Sequence, residues 1–325
     1  MRIEYSNGYY DGEANYNEEE NGYGTFHWNN GDFYSGDWRN GKKHGRGTFR
    51  ANDGWSYSGE WYNDQKHGRG KYTFDDGSYY DGEFAYGNFN GRGVRKYSDG
   101  ACYDGEWRDD KRHGRGKCTY RDGSSYDGEW RNNERHGRGR YVFTDGSYYD
   151  GEWREDAMEG RGKYAYDANS YYDGDWRDGK RHGRGKYVYD DGTYYEGEWY
   201  NDQKHGHGRY TFSDGVYYEG DFAYGNFNGQ GERKYVNGVC YKGEWKDDQR
   251  DGYGCCQYPD GTIYEGYWKD DVWCGTGKVT QPDGTELEGN WIDYDNADNV
   301  VVRSQGKTLR LKLRNKNFIP IEDAE

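Results

Sequence analysis

The chain has 325 residues, with 45 Lys and Arg against 60 Asp and Glu for a net charge of −15, and its 31% hydrophobic content is mostly rings: 39 Tyr, 13 Trp and 11 Phe. Ile, Leu and Val together number 7 in residues 1–262, which excludes a conventional layered aliphatic core. A mean hydropathy of −1.50 would suit a disordered chain, but disordered chains are poor in aromatics and this one is 19% aromatic.

No apolar run approaches the roughly 18 residues of a membrane-spanning helix. The opening Met1-Arg2-Ile3-Glu4-Tyr5 lacks the basic and apolar regions of a signal peptide, so a cytoplasmic setting is expected. The 6 Cys show no recurring pair, and Cys255-Cys256 fits no zinc spacing, so reduced thiols are expected.

A fixed period organises the chain from its start. Units opening Tyr-x-Gly-x-Trp begin at Tyr10, Tyr34, Tyr57, Tyr80, Tyr103, Tyr126, Tyr149, Tyr172, Tyr195, Tyr218, Tyr241, Tyr264 and, degenerately, Leu287. With the unit numbered from that Tyr, Gly holds position 3 in every unit, from Gly12 to Gly289. It also holds positions 12 and 14 from Gly45 and Gly47 to Gly275 and Gly277. A constant repeat in the range of about 20–50 residues signals stacked supersecondary units.

Residues 103–125 serve as the example. Strands are expected at 116–120 and 126–130, where apolar and small residues alternate. A two-residue turn between them would throw the two ring stripes onto opposite faces. A three-residue loop, Arg121-Asp122-Gly123, built as a type I turn ending in a left-handed Gly, brings Cys118 opposite Tyr126 instead. In the one full unit whose turn lacks that Gly, Asn169 is expected to take the left-handed conformation.

This register sets Gly116 against Gly128 and Gly114 against Trp130, so that rings lie over glycine backbone on one face. On the other face it sets Lys117 against Asp127 and Arg115 against Glu129, an expected ladder of cross-strand ion pairs at about 0.2–1 kcal/mol each. Residues 108–113 connect one hairpin to the next. A unit this small cannot bury its own ring face, so stacking must stabilise it. The expected fold is all-β: an elongated single-layer antiparallel β-hairpin repeat solenoid of about 13 units of about 23 residues, over residues 1–291, roughly 120 Å long.

Residues 61–93 and 199–231 differ at 7 of 33 places and are offset by six units, which points to a duplicated block. Both copies replace the basic connector with uncharged aromatic text, Ala85–Asn90 and Ala223–Asn228. Tyr86, Phe89, Tyr224 and Phe227 are therefore candidate docking loops, expected to project; a harmless variant copied by duplication reads the same way.

After Trp291 the period ends, and 292–325 is expected to be a C-terminal hairpin cap and tail. Val300-Val301-Val302 and the alternating Thr308–Arg314 form its strands, around Ser304–Lys307. Arg303, Lys307, Arg310, Lys312, Arg314 and Lys316 make a candidate anionic-lipid patch, or charges that deter edge pairing. A homodimer through this end is a further expectation.

Little suggests catalysis. The P-loop pattern is missing, so His44-Gly45-Arg46-Gly47 is no phosphate cradle. His44, His67, His113, His136, His182 and His205 fill one connector slot unit after unit, the distribution of a structural residue; no metal, cofactor or nucleic acid is expected.

The unit as a whole, as in YDGEWRDDKRHGRGKCTYRDG, resembles the MORN repeat (membrane occupation and recognition nexus), and the resemblance covers about residues 10–291. Members of that family include radial-spoke components, cytoskeletal scaffolds and junctophilins, and in some the repeats are joined to a catalytic domain. The resemblance here, without such a domain, implies a non-enzymatic scaffold, cytoskeletal or ciliary, that binds an extended segment or helix of a protein partner. The expected partner face is formed by Tyr57, Trp61, Tyr80, Tyr103, Trp107, Tyr126, Trp130, Tyr149, Trp153, Tyr172, Trp176, Tyr195 and Trp199. The alternative is a peripheral protein on the cytoplasmic face of a membrane that binds anionic phospholipid, which the net charge opposes everywhere but at the C-terminal patch.

Overall fold

The structure, a computed structural model, describes residues 1–320. Among these residues there are 29 β-strands and no helix, and from Phe33 to Thr280 strands of 7 and 9 residues alternate. The end of the expected C-terminal tail, 321–325, lies outside the described residues, which divide between Tyr164 and Ala165 into two compact units. Within each, strands that follow one another in sequence pair antiparallel, an open meander.

The expected register is the one found. Cys118 faces Tyr126, Gly116 faces Gly128, and Gly114 faces Trp130. The loop is the three-residue form: Tyr120 N–H donates to Ser124 O at 2.9 Å, Gly123 N–H donates to Tyr120 O at 3.0 Å, and Gly123 has φ +91°. The Asp122 carboxylate accepts from both the N–H and the hydroxyl of Ser124, which holds its pKa below the ordinary range.

Asn169 departs from expectation, for its φ is not positive. Its N–H and that of Ser170 donate to the Asp167 carboxylate, so a side chain closes that turn where a left-handed residue closes the others.

Glycines at positions 3 and 14 face one another strand after strand: Gly105 with Gly116, Gly116 with Gly128, Gly128 with Gly139, and Gly139 with Gly151. The Tyr103 ring lies across this row, where a Cβ on Gly116 would strike its ring and hydroxyl. Ring edges then lock the units together. Tyr103 meets Trp107 of its own unit at 5.0 Å and Trp130 of the next at 5.5 Å, both near perpendicular. The second unit repeats this from Tyr172 with Trp176 and Trp199. Such pairs contribute about 0.5–1.5 kcal/mol beyond area burial.

The ion-pair ladder is where expectation and structure part. The residues are opposed as expected, but Glu129 turns away from Arg115: its carboxylate accepts the Arg138 N–H at 3.1 Å and fills the bulge made by Gly137 at φ +58°. Glu106 does the same for the Arg115 N–H beside Gly114. A backbone N–H left without a partner costs more than a surface ion pair contributes, so the bulge takes the carboxylate. Where a tyrosine precedes the next unit, a basic residue at position 15 can lie over it, as Lys71 does over Tyr79 at 4.2 Å and Arg140 over Tyr148 at 3.9 Å. Some contacts of the ladder do form, Lys186 with Glu196, Arg209 with Glu219 and His207 with Asp221.

At the C-terminal end the hairpin is present. Asn296–Ser304 pairs with Lys307–Arg314 across the two-residue turn Gln305-Gly306, both left-handed, and a short strand Asn317–Pro320 follows.

Candidate functional site

The rings expected to form an open partner face are the core of the sheet. Tyr57, Tyr80, Tyr103, Tyr126, Tyr149, Tyr172 and Tyr195 are 0% exposed, and Trp61, Trp107, Trp130, Trp153, Trp176 and Trp199 at most 6%. The cause is polar as well as steric. The Tyr126 hydroxyl donates to Glu129 O at 2.9 Å, and the Trp130 indole N–H donates to Gly116 O of the preceding unit at 2.9 Å. Each ring thus has its polar atom satisfied under the neighbouring unit, and burial pushes the phenols well above the ordinary tyrosine range.

What remains accessible on that face is a second ring row that sequence reasoning missed. It comes from positions 16 and 18, just before the turn: Tyr72 and Phe74, Tyr141 and Phe143, Tyr187 and Tyr189, Tyr210 and Phe212. All are half-buried, and each pair lies 4.4–4.9 Å apart. The recurrence of rings two places apart before each turn is the signal that could have found them.

Beside this row stand the connector cations at position 10. Arg135 lies over Trp153 at 4.3 Å and is clasped by Asp156 of the next unit, Nε to Oδ1 2.8 Å. Arg181 with Asp202 and Arg250 with Asp271 repeat the clasp. Lys43, Lys66 and Lys204 occupy the same slot over rings, and burial lowers their pKa. Between Arg112, Tyr120, Trp130, Arg135 and Tyr141 lies a cleft of about 330 Å³.

The candidate docking loops are only half projecting. Tyr86 and Tyr224 are 78% and 76% exposed, with left-handed backbone at the tip. Phe89 and Phe227 turn inward and stack flat on Tyr80 at 3.9 Å and Tyr218 at 3.7 Å. They fill the slot that a cation fills elsewhere, and the cation reappears at position 16: Arg95 sits over Phe74 and Tyr97, Arg233 over Phe212 and Tyr235. Tyr86 and Tyr224 each end a run of edge rings, His44–Tyr62–His67–Tyr86 and His182–Tyr200–His205–Tyr224, with neighbouring centroids 5.2–6.3 Å apart.

The C-terminal basic patch is partly neutralised. Arg303 pairs with Glu288 at 2.8 Å, Arg314 with Asp298, and Lys316 with Asp295 at 3.6 Å. Lys307, Arg310 and Lys312 are exposed and form no ion pair among the described residues. No cluster of three or more candidate metal ligands occurs among the described residues, and no helix is long and apolar enough to cross a membrane.

The family profile described as "MORN repeat" matches twelve consecutive segments, residues 19–33, 34–56, 57–79 and onward without a gap through 264–286. No curated protein matches. Among solved structures, the TCP10 domain of Danio rerio CPAP in complex with a STIL peptide is similar at 14% identity, covering 75% of this chain and 98% of that one, with a TM-score of 0.37. The SAS-4 TCP domain of Drosophila melanogaster with a proline-rich motif of Ana2 is similar at 12% identity, covering 60% and 88%, with a TM-score of 0.27. Virginiamycin B lyase of Staphylococcus aureus follows at 11% identity, 92% and 97%, and 0.14. TM-scores this low carry no inference about this chain.

Proposed function

Because the chain belongs to the MORN-repeat family, a family of non-catalytic repeats, we propose that it is a non-enzymatic scaffold that receives an extended segment or helix of a protein partner along the ring face. The observation that supports this reading is the half-buried ring row at positions 16 and 18, flanked by cations held over rings. Rigid rings offer large contact area at low entropic cost, and ordered arginines supply directed donors, the residue types that dominate protein interfaces. The buried rings beneath it are the support, and the row above them is the contact surface.

The test is selection of peptides from a displayed library against the full chain, followed by titration. Tyr120→Ser and Tyr141→Ser together should weaken the selected peptides at least tenfold with the melting transition kept. Unchanged affinity in the folded variant would end the reading. A cytoskeletal or ciliary setting is part of the proposal, and proximity labelling in the native cell tests it.

A second reading is kept by one observation, the three exposed and unpaired cations Lys307, Arg310 and Lys312. Each would contribute about 1 kcal/mol at an anionic bilayer. Replacing all three with Gln should abolish co-sedimentation with phosphatidylinositol-phosphate vesicles at physiological salt, and vesicle binding that is absent in the parent would end this reading.

A further inference from the structure

The exchange of cation and ring in the two Phe-bearing units leaves an unbalanced site in the second copy. A cavity of about 510 Å³ is lined there by Arg233, Tyr235, Asn237, Arg250, Tyr258 and Tyr294, with Asp248 and Asp271 at its wall. That volume falls in the range of ligand clefts, and the cavity is open to solvent.

The two carboxylates are committed. Asp271 clasps Arg250 at 2.8 Å, and Asp248 accepts the Phe227 N–H at 2.7 Å. Tyr294 is committed too, its hydroxyl bonded to Asp271 O and lying 3.4 Å from Arg250. Arg233 is the exception. Its guanidinium lies over Tyr235 at 4.4 Å, forms no ion pair among the described residues, and its buried Nε has no hydrogen-bond partner. A buried donor left unpaired costs about 1–3 kcal/mol, more when charged, and so favours any ligand that satisfies it.

The first copy, six units earlier, shows what has changed. Arg95 takes the place of Arg233, and its Nη1 donates to Lys96 O at 2.9 Å. The turn residue that is Asn237 in the second copy is Asp99 in the first, and the connector residue that is Asn133 in the first is Asp271 in the second. The turn residue is thus a carboxylate in the first copy and an amide in the second, each accepting a turn N–H, and the connector acid that only the second copy has is spent on Arg250. Arg233 shares the cavity with Asn237, whose Oδ1 accepts the Val239 N–H.

Resting on the reading of the ring face as a protein-binding surface, we infer that this cavity receives an acidic side chain of the partner segment, its carboxylate accepting from Arg233. The tyrosines around it admit the aliphatic stem of a glutamate, and the planar guanidinium suits a planar carboxylate. The site would make the second copy select acidic segments.

The test uses the full chain and a set of blocked octapeptides carrying one Glu at a varied position on a Gly/Ser/Tyr background, each with a Gln twin. At least one Glu peptide should bind tenfold more tightly than its twin. Arg233→Gln should erase that ratio, and Arg233→Lys should keep part of it. If Arg233→Gln does not melt cooperatively, Asn237→Asp decides, since the first copy tolerates Asp99 at that place; it should cut the ratio several-fold.

Three results overturn the inference: no Glu preference in the parent, a preference that survives in folded Arg233→Gln, or Arg233-dependent binding to phosphatidylinositol-phosphate vesicles that Glu peptides do not compete. Each leaves peptide capture through Tyr120 and Tyr141 standing, so the two failures are distinguishable.

Discussion

The connector of residues 131–136 and that of residues 85–90 solve one packing problem in two ways. In the first, Arg135 covers Trp153 and is fixed by Asp156; in the second, Phe89 lies flat on Tyr80 and edge-on to Trp107. Position 16 then carries a ring, Tyr141, where the connector is basic and a cation, Arg95, where it is aromatic. The slot above the buried rings thus takes either a cation, Arg135 or Lys66, or a ring, Phe89. The pairing with position 16 is not obligatory, since Trp273 takes the slot over Tyr264 at 4.0 Å with Val279 at position 16.

Alkali should have the largest effect, because it attacks what both connectors cover. Burial raises the phenol pKa of Tyr80, Tyr103, Tyr126, Tyr149 and their equivalents. A raised folded pKa means stability that is whole below the ordinary tyrosine value of about 10 and lost as pH climbs past it. Absorbance at 295 nm should therefore rise cooperatively with loss of near-ultraviolet dichroism above pH ~10. Phenols that titrate singly while the fold persists would contradict their burial.

Substitution of the glycine row comes next, and it should not distinguish the two connector types. A Cβ on Gly128 would collide with Gly139 Cα and the Tyr126 hydroxyl, and one on Gly82 with Gly93 Cα and the Tyr80 hydroxyl. Gly128→Val and Gly82→Val should each cost about 3 kcal/mol in denaturant unfolding. Markedly unequal losses would mean that the connector, rather than the glycine backbone, carries the unit interface.

A smaller effect addresses the exchange itself. Phe89→Arg and Arg95→Tyr should each destabilise by about 1–2 kcal/mol, and the double variant should recover most of the loss, a coupling typical of residues sharing neighbours. Strictly additive losses would show that the two positions are independent. Smallest of all is the turn. Ser124 holds the Asp122 pKa below its ordinary value, so Asp122 contributes stability that is present above pH ~4 and lost as pH falls further. Asp122→Asn should flatten the acid limb of stability against pH slightly, read by thermal melting.

Much of this architecture is legible in the residues. Alternation and the Asp-Gly turn are enough to align Cys118 with Tyr126, because a period of two permits only one register that gathers the rings. The bulge at Gly114 is not legible, since an extra residue breaks the alternation on which such reading depends. With the bulge hidden, Glu106 and Glu129 fall to arginines across the strand instead of to backbone N–H groups. The exposure of the rings is misjudged for a related reason. A single sheet offers two faces to water, but Tyr103 lies down along the glycines beneath the next unit's tryptophan, and alternation alone does not distinguish a side chain that lies from one that stands. The accessible row at Tyr141 and Phe143 and the inward turn of Phe89 follow from that posture.

The clasp between neighbouring units, Arg135 to Asp156, Arg181 to Asp202 and Arg250 to Asp271, is nearly the same object each time. Surfaces so alike carry no address, and the correct neighbour is found only because a short tether delivers it first. Diluted chains should therefore refold faithfully, while concentrated ones trade hairpins with one another and arrest as strand-exchanged oligomers, a hazard intrinsic to a molecule written almost in one word.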